Sequence, residues 1–197
     1  APDAQQDGQV QSASISGGRL SVTFTRALDT GDAADDRVIT DGMNVIWAAG
    51  TNTPTDPTAT ISYHQNRGFT TIDFLSGVPP VSPTPAPSPS PPPSPPPSPT
   101  PPLAGVNRFC AQGDLFCLEW TISSTTITMT MSSTVTGWVA VGFTDISGKM
   151  GPSDVYFGWL DASGTPQLSD RTNGAGYVQN APDAQQDGQV QSASISG

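Results

Sequence analysis

Residues 137–164 read GWVAVGFTDISGKMGPSDVYFGWLDASG. Two short apolar runs, 137–143 (GWVAVGF) and 154–160 (DVYFGWL), flank a stretch of glycine, serine, lysine and proline. Runs of this length, rich in β-branched and aromatic residues and bounded by turn formers, read as strands. The same grammar extends outward. Residues 115–122 (LFCLEWTI) and 125–131 (TTITMTM) precede this stretch, and 19–25 (RLSVTFT), 43–49 (MNVIWAA) and 70–75 (TTIDFL) lie in the first part of the chain. Glycine, asparagine, aspartate and serine clusters punctuate them, and helical periodicity is nearly absent. Several short strands at this spacing predict an all-β sandwich.

A repeat sets the organisation. Residues 1–17 and 181–197 are both APDAQQDGQVQSASISG, so the chain is one period of 180 residues plus an overlap. The chain starts at Ala1 with neither a methionine nor a leader peptide, and is expected to begin inside a unit. Between 79 and 102, fifteen positions are proline (PPVSPTPAPSPSPPPSPPPSPTPP). Proline fixes φ and lacks the N–H donor, so this segment is expected to be a semi-rigid polyproline II rod, on the order of 75 Å at about 3.1 Å per residue. The spacer divides the chain into 1–78, the C-terminal part of one repeat, a linker at 79–104, and 105–197, the N-terminal part of the next. A full domain then runs from about Gly105 to Asn180 and continues as residues 1–78 of the following copy.

The spacer resembles the hydroxyproline-rich glycoproteins of plant and green-algal walls. The resemblance implies hydroxylation and O-glycosylation at Pro83, Pro85, Pro87, Pro89, Pro91, Pro92, Pro93, Pro95, Pro96 and Pro97, and O-linked sugar at Ser88, Ser90, Ser94 and Ser98. An unmodified linker or an SH3-type ligand is the alternative. The chain has no Asn-x-Ser/Thr sequon.

Composition excludes several classes. The formal charge is −10, and removing Asp183 and Asp187 of the overlap gives −10 + 2 = −8 per period. An acidic chain whose lone lysine is Lys149 argues against nucleic acid and anionic membranes as partners. No apolar run approaches the roughly 20 residues of a membrane helix. Cys110 and Cys117, in FCAQGDLFC, have neither the spacing nor the number for a zinc site, and a disulfide is favoured over two free thiols.

The run 137–164, with LSDR at 168–171 and APDAQQD at 181–187, resembles a DOMON domain. LSVTFTRALDT (20–30), NVIWAAG (44–50) and ISYHQNRG (61–68) resemble its other half. The resemblance implies an immunoglobulin-like β-sandwich. Some members of that family carry heme b, some are thought to bind sugars, and others bind nothing known. In the heme-bearing members a methionine and a histidine at these landmarks are the axial ligands. The matching residues here are Met150, in GKMG, and His64, in SYHQNRG, the one histidine of the chain. A thioether opposite an imidazole favours ferrous iron, and two filled axial positions suit electron transfer rather than oxygen chemistry. On the domain boundaries above, Met150 pairs with His64 of the following copy, 64 + 180 − 150 = 94 residues later. Arg67 could pair a heme propionate or form a surface ion pair. Trp47 and Trp138 could line a pocket, although tryptophan core is the plainer reading of these, Trp120 and Trp159. A lone loop histidine is usually a surface residue, and a loop methionine usually packs locally. Covalent heme is not expected, because CxxCH is absent.

Three functions fit. One is a repeat unit of an extracellular glycoprotein filament, wall layer or appendage built from copies of itself. The second, compatible with it, is an electron-carrying cytochrome with a redox partner. The third is a carbohydrate-binding wall module. An enzyme is not expected, since one histidine cannot build a copper site and no Ser/His/Asp set, P-loop or GxGxxG is present. Asp154 and Asp170 read as turn or buried-pair residues, and Asp35 and Asp36 as a solvated turn.

Overall fold

The computed structural model describes residues 8–32, 35–76, 106–173, 181–182 and 187–190. The strands in chain order are β1 (Gly8–Ser16), β2 (Arg19–Ala27), β3 (Met43–Gly50), β4 (Asn66–Ile72), β5 (Asn107–Ala111) and β6 (Phe116–Ser123). They continue as β7 (Thr126–Ser133), β8 (Trp138–Thr144), β9 (Ser153–Leu160), β10 (Pro166–Asn173), β11 (Ala181–Pro182) and β12 (Asp187–Val190). No helix occurs among the described residues. Two six-stranded sheets face each other: β1-β12-β2-β7-β6-β5, with β1 also paired to β2, and β11-β10-β9-β8-β3-β4. All pairings are antiparallel except the parallel contact of β1 with β12. The spacer lies outside the described residues.

Alternation builds the first sheet. In β2, Leu20, Val22, Phe24 and Arg26 are buried and the intervening residues half-buried, as a period-two strand with one covered face requires. On its outer face Thr23 and Thr25 bond the hydroxyls of Thr130 and Thr128, at 2.8 and 2.9 Å. The β1–β2 hairpin closes between Ser16 and Arg19 through Gly17 (φ 57°) and Gly18 (φ 74°). Positive φ at both central positions is the twist-matched hairpin turn, which strongly favours glycine. Cys110 and Cys117 are opposite one another across β5 and β6 and are joined as a disulfide.

β8 and β9 are buried at every position, because the second sheet is covered on both faces. Its inner face carries Val45, Trp47, Val139, Val141, Phe143, Tyr156 and Leu160 into the core between the sheets. Trp47 stacks on Phe116 and Phe24 on Tyr156, each at 4.9 Å between ring centroids. Both stacks join residues from before the spacer to residues after it. In this chain the two parts therefore make one sandwich, with β3 paired to β8 from Asn44–Thr144 to Gly50–Trp138. Truncating a core tryptophan such as Trp47 to alanine costs about 3–5 kcal/mol. The outer face of the second sheet carries Ile46, Ala48, Trp138, Ala140, Val155, Phe157 and Trp159, with Ile61 of the β3–β4 loop packed against them.

Candidate functional site

The outer face of β3, β4 and β8 holds Arg67 and Trp138, two of the residues that the sequence singles out. Directly opposite residues of an antiparallel pair share a face. Arg67 lies opposite Ala48, and Phe69 opposite Ile46, so both stand on the outer face, two residues or about 7 Å apart along β4. His64 precedes this strand and sits at its Arg67 end. Its Nε2 lies 3.3 Å from Arg67 Nη1, which also donates to the Tyr63 hydroxyl at 2.9 Å. The Tyr63 and His64 rings are 4.3 Å apart.

Met150 lies in the β8–β9 loop, at the other end of the sheet, and a Cβ built on Gly148 of that loop would stand 3.6 Å from the Phe69 ring. The loop's backbone is pinned. The Met150 carbonyl accepts from Ser153 Oγ at 2.6 Å and from Asn173 Nδ2, and Thr144 Oγ1 donates to the Pro152 carbonyl at 2.9 Å. Met150 is 36% exposed and Ile146 of the same loop 46%; Phe69 on β4 is 64% exposed, and Tyr63, beside His64, 78%.

Electrostatics prepare the imidazole. Burial lowers the His64 pKa, a hydrogen bond to its own main chain opposes this, and the nearby Arg67 charge lowers it further. The ring is therefore neutral at pH 7, the form that ligates a metal. Because Arg67 is a donor only, its N–H donates into the Nε2 lone pair. Ligation through Nε2 requires Arg67 to release that nitrogen.

Trp138 also faces outward and is fully buried, with Nε1 3.3 Å from Ser62 Oγ beside Tyr63. Trp47 points the other way, into the core. Residues that sequence reasoning did not single out hold the loop before β4. Arg171, buried on the outer face of β10, donates to the carbonyls of Pro57 and Ala59 at 2.7 and 2.8 Å and stacks over Phe157. Ser169 Oγ donates to the same Pro57 carbonyl at 2.7 Å. The LSDR motif contained the signal, since an arginine one residue after an inward aspartate must face outward on a strand.

The aspartates form a separate buried network on the inner face. Arg26 reaches Asp154 at 2.7 Å and Asp36 at 3.5 Å, and its guanidinium lies over the Tyr156 ring. Asp36, expected in a solvated turn, is instead 6% exposed beside Arg26. Arg26 is the cause: a buried guanidinium has no aqueous counterion and draws in carboxylates. Asp36, Asp154 and Asp170 lie close enough together to share one cation, and Arg26 already stands among them. The Cys110 and Cys117 sulfurs are bonded to each other, so neither is a thiolate ligand.

No curated protein and no solved structure matches the chain. Among families, the description "DOMON domain" matches at residues 112–197. The match begins in the β5–β6 turn, takes in Met150 and LSDR, and ends with the second copy of the repeated segment: a DOMON domain is present at residues 112–197.

Proposed function

We propose that the chain is a repeat unit of an extracellular filament whose DOMON beads bind heme b and carry electrons. The observation that supports the heme reading is a buried, neutral His64 with Arg67 on its Nε2, in a sandwich that also carries a partly exposed Met150 in its β8–β9 loop. A soft thioether and an imidazole are a donor set for heme iron. His64 and Met150 would hold the iron. Arg67 would neutralise a propionate once displaced from Nε2, and Trp138 would back the histidine end. Bound heme supplies one-electron transfer at iron. No side chain here is assigned a catalytic role.

The filament reading rests on the repeat and the spacer, with DOMON domains typically found in secreted proteins. O-linked glycans on the spacer, and wall glycans or a redox partner at the beads, belong to the same proposal. No helix among the described residues is long and apolar enough to cross a membrane. The pairing of halves follows from stiffness. Trp120 Nε1 donates to the Phe74 carbonyl at 3.3 Å, and Trp120 lies opposite Asn107. The two ends flanking the spacer are thus close together, and a polyproline rod would have to double back to join them. The family match that runs on through 181–197 supports the other pairing, in which Met150 meets His64 of the following copy and the spacer is free to separate beads.

The test is the visible spectrum of the heme-supplied protein, oxidised and then reduced with dithionite. A Soret band with sharp reduced α and β bands, changed by Met150→Ala and lost with His64→Ala, is expected. A flat spectrum would reject the cytochrome and leave a heme-free structural bead or a carbohydrate-binding wall module.

A further inference from the structure

The sequence of β1 occurs twice in the chain and that of β2 once. Four residues of the second copy, 187–190, lie beside the first. β12, whose residues 187–190 repeat 7–10, runs parallel to β1 in matched register, with Gln9 opposite Gln189 and Val10 opposite Val190. Thr25 of β2 is paired with Gln9 and also with Gln189. β12 meets β2 antiparallel, the direction β1 already has. Next to this junction the β1–β2 ladder is interrupted by a bulge between Val10 and Ser12, and beyond it β1 holds β2 as far as Ser16–Arg19. The arrangement is a branch point: two identical strands, one edge, and a partner residue already shared.

We propose that this edge of β2 is a strand-exchange seat, and that its occupant can be the 181–197 segment of a second copy of the chain. The proposal rests on the tandem self-association read above and names its contact. Each residue displaced from β1 is replaced by the same residue. Val10 and Ala13 are buried, and the second copy of the segment carries the same residues, valine at 190 and alanine at 193, so an exchange would have almost no net cost in packing or pairing. When two states differ so little, local concentration decides between them, and a short tether raises that concentration to the millimolar range. Neighbouring repeats, or filaments laid side by side, meet that condition. The contact is heterologous, a donor segment into an acceptor edge. It therefore propagates into open chains rather than closing as a dimer, and it occupies an edge that would otherwise pair without selection.

The test uses two full-length chains, one carrying Thr25→Cys and the other Gln189→Cys, each keeping the native disulfide and matching the parent in circular dichroism and thermal midpoint. They are mixed in the millimolar range and mildly oxidised. The expected product is a covalent heterodimer linked between positions 25 and 189, at least tenfold in excess of either homodimer. Adding Val190→Asp to the donor chain, whose own β1 is intact, should reduce it to the homodimer level. Heterodimer no more abundant than homodimers, or unaffected by Val190→Asp, would overturn the exchange. Neither result touches the tandem filament reading, which electron microscopy of multi-repeat protein tests separately.

Discussion

His64 is the residue whose protonation the fold controls most directly. The residue is 9% exposed, and burial comes first among the causes that lower its pKa, with Arg67 adding to it. In the unfolded chain the imidazole takes a proton at its ordinary pKa of 6.5, and in the folded chain only at lower pH. Below that value the unfolded state binds more protons, so stability declines as pH falls below about 6.5. Heme-free protein is therefore expected to lose stability across that window, and His64→Gln should flatten the slope while leaving the more acidic carboxylate-driven loss in place. Urea titrations at several pH values measure both slopes, and equal slopes for the two proteins would contradict the burial argument. Under the proposed heme binding, iron would compete with protons for the same nitrogen, and heme retention should weaken over the same range.

At the scale of elements, alternation was legible and its exceptions were not. The runs at 19–25, 43–49, 115–122, 125–131, 137–143 and 154–160 correspond to β2, β3, β6, β7, β8 and β9. The run at 70–75 was displaced, since β4 is Asn66–Ile72, and the glycine at its centre hid it. Gly68 lies under the Trp47 ring, where a Cβ would stand 2.6 Å from the indole. β1 escaped notice because its inward residues, Val10, Ala13 and Ile15, are separated by a bulge that breaks the period of two. β10 was missed because it points Asp170 inward and Arg171 outward, both buried. Arg171 gives this strand a role beyond its own pairing, since it fixes the loop that delivers His64. Charge-assisted hydrogen bonds to two carbonyls are worth roughly 1.5–3 kcal/mol apiece. Arg171→Ala is expected to lower stability by about 3 kcal/mol and to raise hydrogen exchange selectively from residue 57 to Gln65, whose amide bonds the Ala49 carbonyl. Heme affinity should fall with it. A loss of protection spread evenly over both sheets would show that Arg171 supports the sandwich rather than the loop.

For the whole molecule, the repeat and the sandwich were readable from letters alone, whereas the placement of the expected ligands was not. Met150 and His64 belong to loops at opposite ends of the sheet: Gln65 bonds the Ala49 carbonyl at one end, and the β8–β9 loop leaves after Thr144, opposite Asn44, at the other. How the copies pair then sets the dimensions of the array. If each bead is completed by the copy directly following it, the polyproline segment lies between beads and holds them apart by about 75 Å of rod. If each bead is completed across the spacer, beads are joined by residues 174–180 alone, and seven residues span at most about 25 Å. A protein of two full repeats, measured by small-angle scattering, distinguishes the two. The first arrangement is expected, with a second maximum in the distance distribution near the rod length plus one bead diameter. Shortening the spacer by ten residues should bring that maximum in by about 31 Å, at 3.1 Å per residue. A compact distribution insensitive to spacer length would mean that Met150 meets His64 of its own 197-residue unit, and that the proline segment loops out of the bead instead of joining it to the next.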